Sequence, residues 1–417
     1  MQQSVFVYDP IAHDPQSRVR GVGRYLQILK ENFREFVFTA DVGQVSADST
    51  FINPFFNFLQ PPLVTKRVAA RQAAVIHDLI PLKYPHHFPS GLRGKANIFL
   101  NKRALRNYGV FITDSKASQN DIEKILGVNK NRVHVVYPCL PTSFTKGDVI
   151  LGRSKATTPE SGAEKADSGQ VPRLRSGQAR MTRKDSAFPT SYFIYVGDAT
   201  WNKNLVNLAK AVKMADVSCA FVGAVFTKDR NFHKEEKFGQ VTGDVTGRAP
   251  DSAQRSEHWR EGKSRQDPSP SLLRATFDPS ELAHPWKREL KEFLKLAEGD
   301  DRFVFPGFVP DAKLKQLYQQ ALANLLVSHD EGFGFSYLEA ASQGTPSLLS
   351  DIPVFRELAD EAALFADPDD PGDIAEKIRL LLDEEVQKAV ASEAKERLKF
   401  FSKENFKKTF LDELSHI

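Results

Sequence analysis

Short runs of β-branched and aromatic residues alternate with amphipathic helical stretches along the first third of the chain. That alternation commits the segment to a doubly wound parallel sheet. The runs predict strands at Val5 to Tyr8, Phe36 to Thr39, Ala73 to His77, Val110 to Thr113 and Val133 to Tyr137. Between them, "GRYLQILKENF" sets Tyr25, Leu26, Leu29 and Phe33 on one helical face, and "SKASQNDIEKILG" opens on a capping Ser115 and stops at Gly127.

The pattern restarts at Tyr192 with "YFIYVG", a helix from about Leu205 to Met214, and "SCAFVG". It resumes in "HPWKRELKEFLKLAEGD", where Trp286, Leu290, Phe293, Leu294 and Ala297 share a face, and runs on through "RFVFPGF", "KLKQLYQQA" and "NLLVS". Two stretches interrupt it. Lys146 to Thr190 and Thr227 to about Pro279 are rich in Ser, Thr, Gly, Pro, Lys, Arg and Gln, a composition that buries too little apolar surface to offset the entropy of ordering. Both read as surface insertions. In "RLKFFSKENFKKTFLDELSHI", Phe406, Phe410, Leu411 and Leu414 recur at helical spacing and predict a helix docked on a core.

At 417 residues the chain exceeds one ordinary core and leaves room for two domains and a cleft. The expected division is an N-terminal domain over 1–145, an insertion over 146–190, a C-terminal domain over 191–390 with a second insertion at about 227–279, and a terminal helix over 391–417 packing back on the first domain. The composition, 41% hydrophobic and 26% charged, fits a soluble globular protein. No run approaches the length of a spanning helix and the start lacks a leader pattern, so a cytoplasmic protein is expected, with peripheral contact at the inner membrane face allowed. No strong basic amphipathic helix is evident in the first domain. Cys139 and Cys219 lie in segments that read as buried strands and are expected to be reduced, structural thiols. The net charge of +4 gives weak support for an anionic partner, and no aromatic interleaving points to nucleic acid. Metal is not expected, since "DPDDP" at Asp367 to Pro371 reads as a turn before a helix.

The stretch "SHDEGFGFSYLEAASQGTP" follows a predicted strand and opens a helix, beyond the carboxyl end of the sheet where open α/β folds hold ligands. Free N–H groups of the first turn and the helix dipole make an anion site there, and Gly332 and Gly334 let the backbone come close to a ligand. Glu331 and Glu339 flank it. Their spacing admits two readings: hydroxyl acceptors on either side of a diphosphate, or a dipole-stabilised acid followed by a solvent-facing helical Glu. In the first domain, "RGVGRYLQ" places Gly21 and Gly23 before a helix, and "VIHDLIP" ends a strand with His77 and Asp78.

The segment from Ser328 to Ile378 resembles the C-terminal signature of family-four glycosyltransferases, retaining enzymes of the GT-B fold marked by Glu, seven residues, Glu. "VGDATWNKNL", "HPWKRELKEF", "PGFVPDAKLKQLYQQA", "GVGRY", "VIHDLIPLKYP" and "RVHVVYPCL" are similar to that family in the same order. The resemblance implies two Rossmann-like domains facing across a cleft and transfer of a hexose, mannose from GDP-mannose, to a glycan or lipid-linked hydroxyl without a cofactor. It further implies that Glu331 contacts the donor sugar, that Gly332, Phe333, Gly334 and Phe335 lie against sugar and phosphate, and that Glu339 holds the ribose. Lys203, before Asn204 and after Gly197, corresponds to the diphosphate-binding lysine, and His77 to a histidine lining the cleft. Gly21, Gly23, Arg24 and Asp78 fall in loops on the phosphate or acceptor side. One cation of the usual clamp is missing, because Asp198 and Asn202 stand where many relatives carry arginine. Either Lys203 and backbone amides suffice, or an arginine from the other domain, Arg20 or Arg24, completes it. A catalytically silent nucleotide-sugar binder and a nucleotide-sugar epimerase are the rival readings.

Overall fold

The computed structural model describes residues 4–12, 21–145, 188–226 and 284–415. Most of each segment expected as an insertion, and Arg20, lie outside those residues. The described residues form two six-stranded sheets whose strands pair only in parallel. The first contains β1 (Val5–Tyr8), β2 (Val37–Thr39), β3 (Thr50–Asn53), β4 (Arg71–Val75), β5 (Val110–Thr113) and β6 (Val133–Val135), in the order β2-β1-β3-β4-β5-β6. The second contains β7 (Phe193–Val196), β8 (Cys219–Val222), β9 (Phe303–Gly307), β10 (Asn324–Leu326), β11 (Ser347–Ser350) and β12 (Leu364–Ala366), in the order β12-β11-β10-β7-β8-β9.

In the second sheet the strand order reverses between β7 and β10, which pair through Asn324 and Ile194. Chain leaving β7 crosses to one side and chain leaving β10 to the other, so a crevice opens beyond their carboxyl ends. Helices cover both faces because the strands are apolar on both. Phe193, Tyr195, Phe221 and Leu325 pack on one face with Leu205, Leu208, Phe293 and Ile374, while Ile194, Ala220 and Leu326 pack on the other with Leu314, Tyr318, Tyr337 and Phe355.

The helix Gly21–Asn32 buries Tyr25, Leu26 and Leu29 as the spacing predicts. The helix Lys116–Leu126 opens on the Ser115 hydroxyl and ends at Gly127 in the left-handed region, φ 66°, where glycine meets no Cβ penalty. Asp370 caps the helix Pro371–Leu380 and confirms the "DPDDP" turn. Four expectations need correction. The Gly21–Asn32 helix already includes Gly21 and Gly23 in its first turn. Strand β3 was not foreseen, because "TFIN" holds only two adjacent apolar residues, Phe51 and Ile52, and shows no alternation. Cys139 is buried but lies in the loop beyond β6, outside any strand. Leu411 is 40% exposed, since the helix Lys403–Ser415 turns only Phe406, Phe410 and Leu414 inward.

That helix returns to the first sheet's core, where Phe410 lies 5.0 Å from Phe33 and Phe406 5.9 Å from Phe33, ring centre to ring centre. Phe410→Ala should therefore destabilise the protein by about 3–5 kcal/mol, the usual cost of emptying a buried aromatic site. Leu411→Ala should stay within about 0.5 kcal/mol. Urea denaturation followed by circular dichroism measures both, and equal losses would refute the packing.

Candidate active site

The crevice at the switch point is built from the turns that leave β7 and β10. After β7 the chain runs through Gly197 to Trp201–Lys203 and reverses at Asn204, whose φ of 55° sits in the left-handed region. Asn204 tolerates that conformation and uses its side-chain amide to hold the turn, donating to the carbonyls of Val327 at 2.8 Å and Pro368 at 2.7 Å. Asn202 ties the same turn to the β10 loop: its carbonyl accepts from His329 N–H at 2.8 Å and its amide donates to the Asp330 carbonyl at 3.1 Å. A zipper between the two loops thus occupies the position where a clamp arginine was expected.

The zipper brings Lys203 and Glu331 together. Lys203 Nζ lies 2.7 and 2.8 Å from the two carboxylate oxygens of Glu331, and the Ser328 hydroxyl donates to Glu331 at 2.7 Å. The Glu331 side chain is 9% exposed and that of Lys203 20%, so the pair is poorly hydrated and each charge depends on the other. Beyond Glu331, Gly334 at φ 131° starts the helix Phe335–Ser342, whose unpaired first-turn N–H groups and dipole favour an anion. Phe333 packs on Phe335 and Phe401 within the core, and Phe335 touches core residues of both sheet units. Both aromatics anchor the loop.

The first sheet supplies the facing wall. His77 Nδ1 lies 2.6 Å from the Asp114 carboxylate and its Nε2 3.1 Å from the Pro54 carbonyl. Both neighbours are acceptors, so the ring satisfies both only when doubly protonated. Burial opposes that charge, but Asp114, Asp78 and the Pro54 carbonyl outweigh it and raise the pKa above its ordinary value. The surroundings of His77 therefore favour its protonated form and make it a poor general base. Asp78 is exposed, yet desolvation by the surrounding walls, with help from Glu331, raises its carboxyl, while its oxygen accepts from Ile80 N–H at 3.0 Å.

The walls meet directly at Gly332. Its carbonyl accepts from the hydroxyls of Ser115 at 2.8 Å and Ser118 at 3.3 Å, and Ser118 also donates to the His77 carbonyl at 2.9 Å. A Cβ on Gly332 would sit 2.6 Å from the His77 carbonyl oxygen and 3.0 Å from Asp78 Cβ. Around this contact, Lys83 bridges Asp121 at 2.9 Å and Asp330 at 2.7 Å. Glu357 accepts from the N–H groups of Lys116 at 2.7 Å and Ala117 at 3.2 Å, capping a helix of the opposite unit. Trp201 lies between His87, stacked at 3.7 Å, and His329, stacked at 4.8 Å. Burial first, with help from neighbouring cations, lowers the pKa of both histidines and favours their neutral form.

Glu339 lies elsewhere along the junction. It is 4% exposed, with one oxygen 3.1 Å from the Arg24 guanidinium and the other accepting from the Tyr318 hydroxyl at 3.2 Å. Arg24 also donates two bonds to Asp311, at 2.7 and 2.9 Å, and Ser143 donates to Asp311 at 2.6 Å. Burial works against the Asp311 charge, but Arg24 and Ser143 hold its carboxyl below the ordinary range. Arg24 thus joins the second acid of the motif, whereas the expectation set it beside Lys203. Gly197 and its neighbour strand approach closely, since a Cβ on Gly223 would lie 2.1 Å from the Gly197 carbonyl oxygen. Among the described residues no group of three His, Cys, Asp or Glu is arranged to hold a metal ion.

Sequence reasoning missed Ser328, Asp114, Tyr318, Asp311 and Trp201. Asp114 carried a usable signal, because it ends β5 beside the strand that ends near His77.

Residues 283–398 match the family described as glycosyl transferases group 1. Over 81 residues the chain is 41% identical to the O-antigen chain mannosyltransferase RfbU of Salmonella typhimurium, covering 19% of this chain and 23% of the relative. Seventy residues are 39% identical to the serotype-specific mannosyltransferase WbdA of Escherichia coli, covering 17% and 9%. The chain thus spans less than a quarter of the length of these relatives. The Anabaena protein HepE, solved with UDP-glucose, superposes over 100% of both chains with a TM-score of 0.57 at 13% identity. A trehalose-6-phosphate synthase superposes over 95% of this chain and 78% of its own with a TM-score of 0.53 at 11% identity. The two sheet units therefore adopt the GT-B fold of these structures.

Two outcomes test this geometry. Gly332→Ala should separate the two units at the cleft, seen as a larger radius of gyration by small-angle X-ray scattering and a lower Tm; an unchanged radius would refute the contact. Burial, resisted by Arg24, pushes the Glu339 carboxyl up to about 7 from its ordinary 4.5. Its protonated form therefore favours the folded state, a contribution complete below pH 4.5 and lost as pH rises through about 7. The Tm of Glu339→Gln should gain on the wild type across that window and run parallel above it. Parallel profiles throughout would refute the shift.

Proposed function

We propose that the protein transfers a hexose from a nucleoside-diphosphate sugar to a hydroxyl acceptor with retention of anomeric configuration. The observation that carries this reading is the Lys203–Glu331 pair at the carboxyl ends of β7 and β10, beside a helix N-terminus. A diphosphate and a sugar hydroxyl can replace each member of that pair as the other's partner: phosphate oxygens accept from Lys203, and hydroxyls donate to Glu331.

In the proposed reaction the bond from the anomeric carbon to the diphosphate oxygen breaks while the acceptor oxygen bonds to the same face. The acceptor proton passes to the departing phosphate. Lys203 and the N–H groups of the Phe335–Ser342 helix stabilise the charge that grows on the diphosphate, and no protein nucleophile is needed. His77, whose two ring nitrogens are engaged by Asp114 and the Pro54 carbonyl, lines the cleft near the sugar. Glu339 accepts from ribose hydroxyls once Arg24 yields one of its contacts. The two sheet units stand as the acceptor-side and donor-side domains, and their closure at Gly332 excludes water that would hydrolyse the donor.

Mannose from GDP-mannose is the proposed donor, supported by the mannosyltransferase names of the bacterial relatives matched over part of the chain. A glycan or lipid-linked glycan is the proposed acceptor, without metal or other cofactor. A thermal-shift screen tests the donor: GDP-mannose should raise Tm by mass action and UDP-glucose should not. The opposite selectivity would replace the donor, and no response to any nucleotide sugar would sink the reading. Lys203→Ala should weaken nucleotide-sugar binding by about 10–100-fold in calorimetry, the worth of a charge-assisted hydrogen bond. Glu331→Ala should keep most nucleotide affinity and lose about 100-fold or more in turnover. Donor binding without turnover in the wild type would favour the silent binder instead.

A further inference from the structure

The helix Gly91–Ala104 presents an outward face that combines large exposed apolar side chains with exposed cations. Its inner face is fixed: Asn97 donates to the Leu59 carbonyl at 2.8 Å, Asn101 donates to the Gln60 carbonyl at 2.7 Å, and Gly94 packs against Ser90. The outer face is therefore fixed as well. Leu92, Lys95, Phe99, Arg103 and Arg106 follow one another at intervals of three and four and form one stripe. Leu92 is 88% exposed and Phe99 68%, with Leu100 beside them at 44%. Lys95, Arg103 and Arg106 are exposed, and no ion pair to a carboxylate engages them among the described residues. From Leu79 to Thr113 the sequence contains no Asp or Glu.

We propose that this face docks on an anionic phospholipid bilayer, with Leu92 and Phe99 entering the acyl boundary and Lys95, Arg103 and Arg106 meeting the headgroup phosphates. Two observations select that occupant. A fixed row of cations without intervening acids complements a negative surface, and large apolar side chains among them match a phase that is charged outside and oily beneath. A polyanion in water would satisfy the cations and leave Leu92 and Phe99 wet. The helix starts at the edge of the cleft: the Trp286 indole donates to the Pro89 carbonyl at 3.2 Å, and His87 stacks on Trp201 in the Lys203 turn. Docking therefore brings the cleft mouth to the bilayer surface, where a hydroxyl carried on a lipid is presented. The sequence pattern concealed this helix because apolar residues occupy both its faces.

The test is co-sedimentation of the full chain with phosphatidylcholine vesicles, and with vesicles containing about one third phosphatidylglycerol. The protein should partition onto the anionic vesicles only, and should release in about 0.5 M salt. The triple variant Lys95→Gln/Arg103→Gln/Arg106→Gln should lose about 100-fold in partitioning, and Leu92→Ser/Phe99→Ser about 10-fold or more, with circular dichroism unchanged. In Phe99→Trp, brominated acyl chains should quench the added indole emission. Wild-type protein left in the supernatant at low salt, variants that sediment like the wild type, or unquenched emission would overturn the proposal. A dimer abolished by Leu92→Ser/Phe99→Ser would overturn it too, assigning the face to a second copy. Binding is read without donor or turnover, so its failure and that of the proposed reaction are distinguishable.

Discussion

The reversal of strand order between β7 and β10 is the constraint on which the site depends. At any other pair of neighbouring strands the chain leaves both carboxyl ends toward the same side and fills the space beyond them. Here the two exits diverge, and the gap must be held by side chains from both loops. Asn202 and Asn204 do the holding with amides that reach the carbonyls of residues 327, 330 and 368. Lys203, between them, reaches Glu331. An amide zipper thus makes an exposed-looking turn residue into a fixed charge.

The opposite wall uses backbone complementarity. Gly332 is in contact with the His77 carbonyl, and its own carbonyl is caught by two serine hydroxyls at the start of the facing helix. Glu357 fills the free N–H groups of that same helix from across the junction. Helix-start donors that would bind an anionic ligand in another setting are here satisfied by a carboxylate of the neighbouring unit. The junction is consequently polar and directional, a character suited to contacts that form and break at modest cost.

Much of this was legible in the sequence where one period dominated. Tyr25, Leu26 and Leu29 announced a buried helical face, Ser115 and Gly127 announced its neighbour's ends, and the glycine turn after "NLLVS" announced the crevice. What escaped depended on partners distant in sequence. Nothing in "GVGRY" tells that Arg24 will meet Asp311 and Glu339, about three hundred positions away, because an ion pair leaves no periodic trace. Strand β3 escaped because two adjacent apolar residues, Phe51 and Ile52, have no period, and Leu411 was misplaced because one residue's rotation decides which side of a helix is covered. The proposed roles of Lys203, Glu331 and Glu339 came from the family resemblance. The spacing of the two acids admitted a bland alternative as readily.

The return of Phe406, Phe410 and Leu414 to the core around Phe33 has a consequence for how the protein is made. Phe33 and Phe410 are separated by nearly the whole length of the sequence. At ordinary synthesis rates, roughly 20 to 75 s elapse between the two. For that time the first sheet has Phe33 and Tyr25 without the rings that cover them, while the second unit can already be complete. The half that is translated first is therefore finished last, and an uncovered aromatic surface on a nascent chain is a natural target for chaperones.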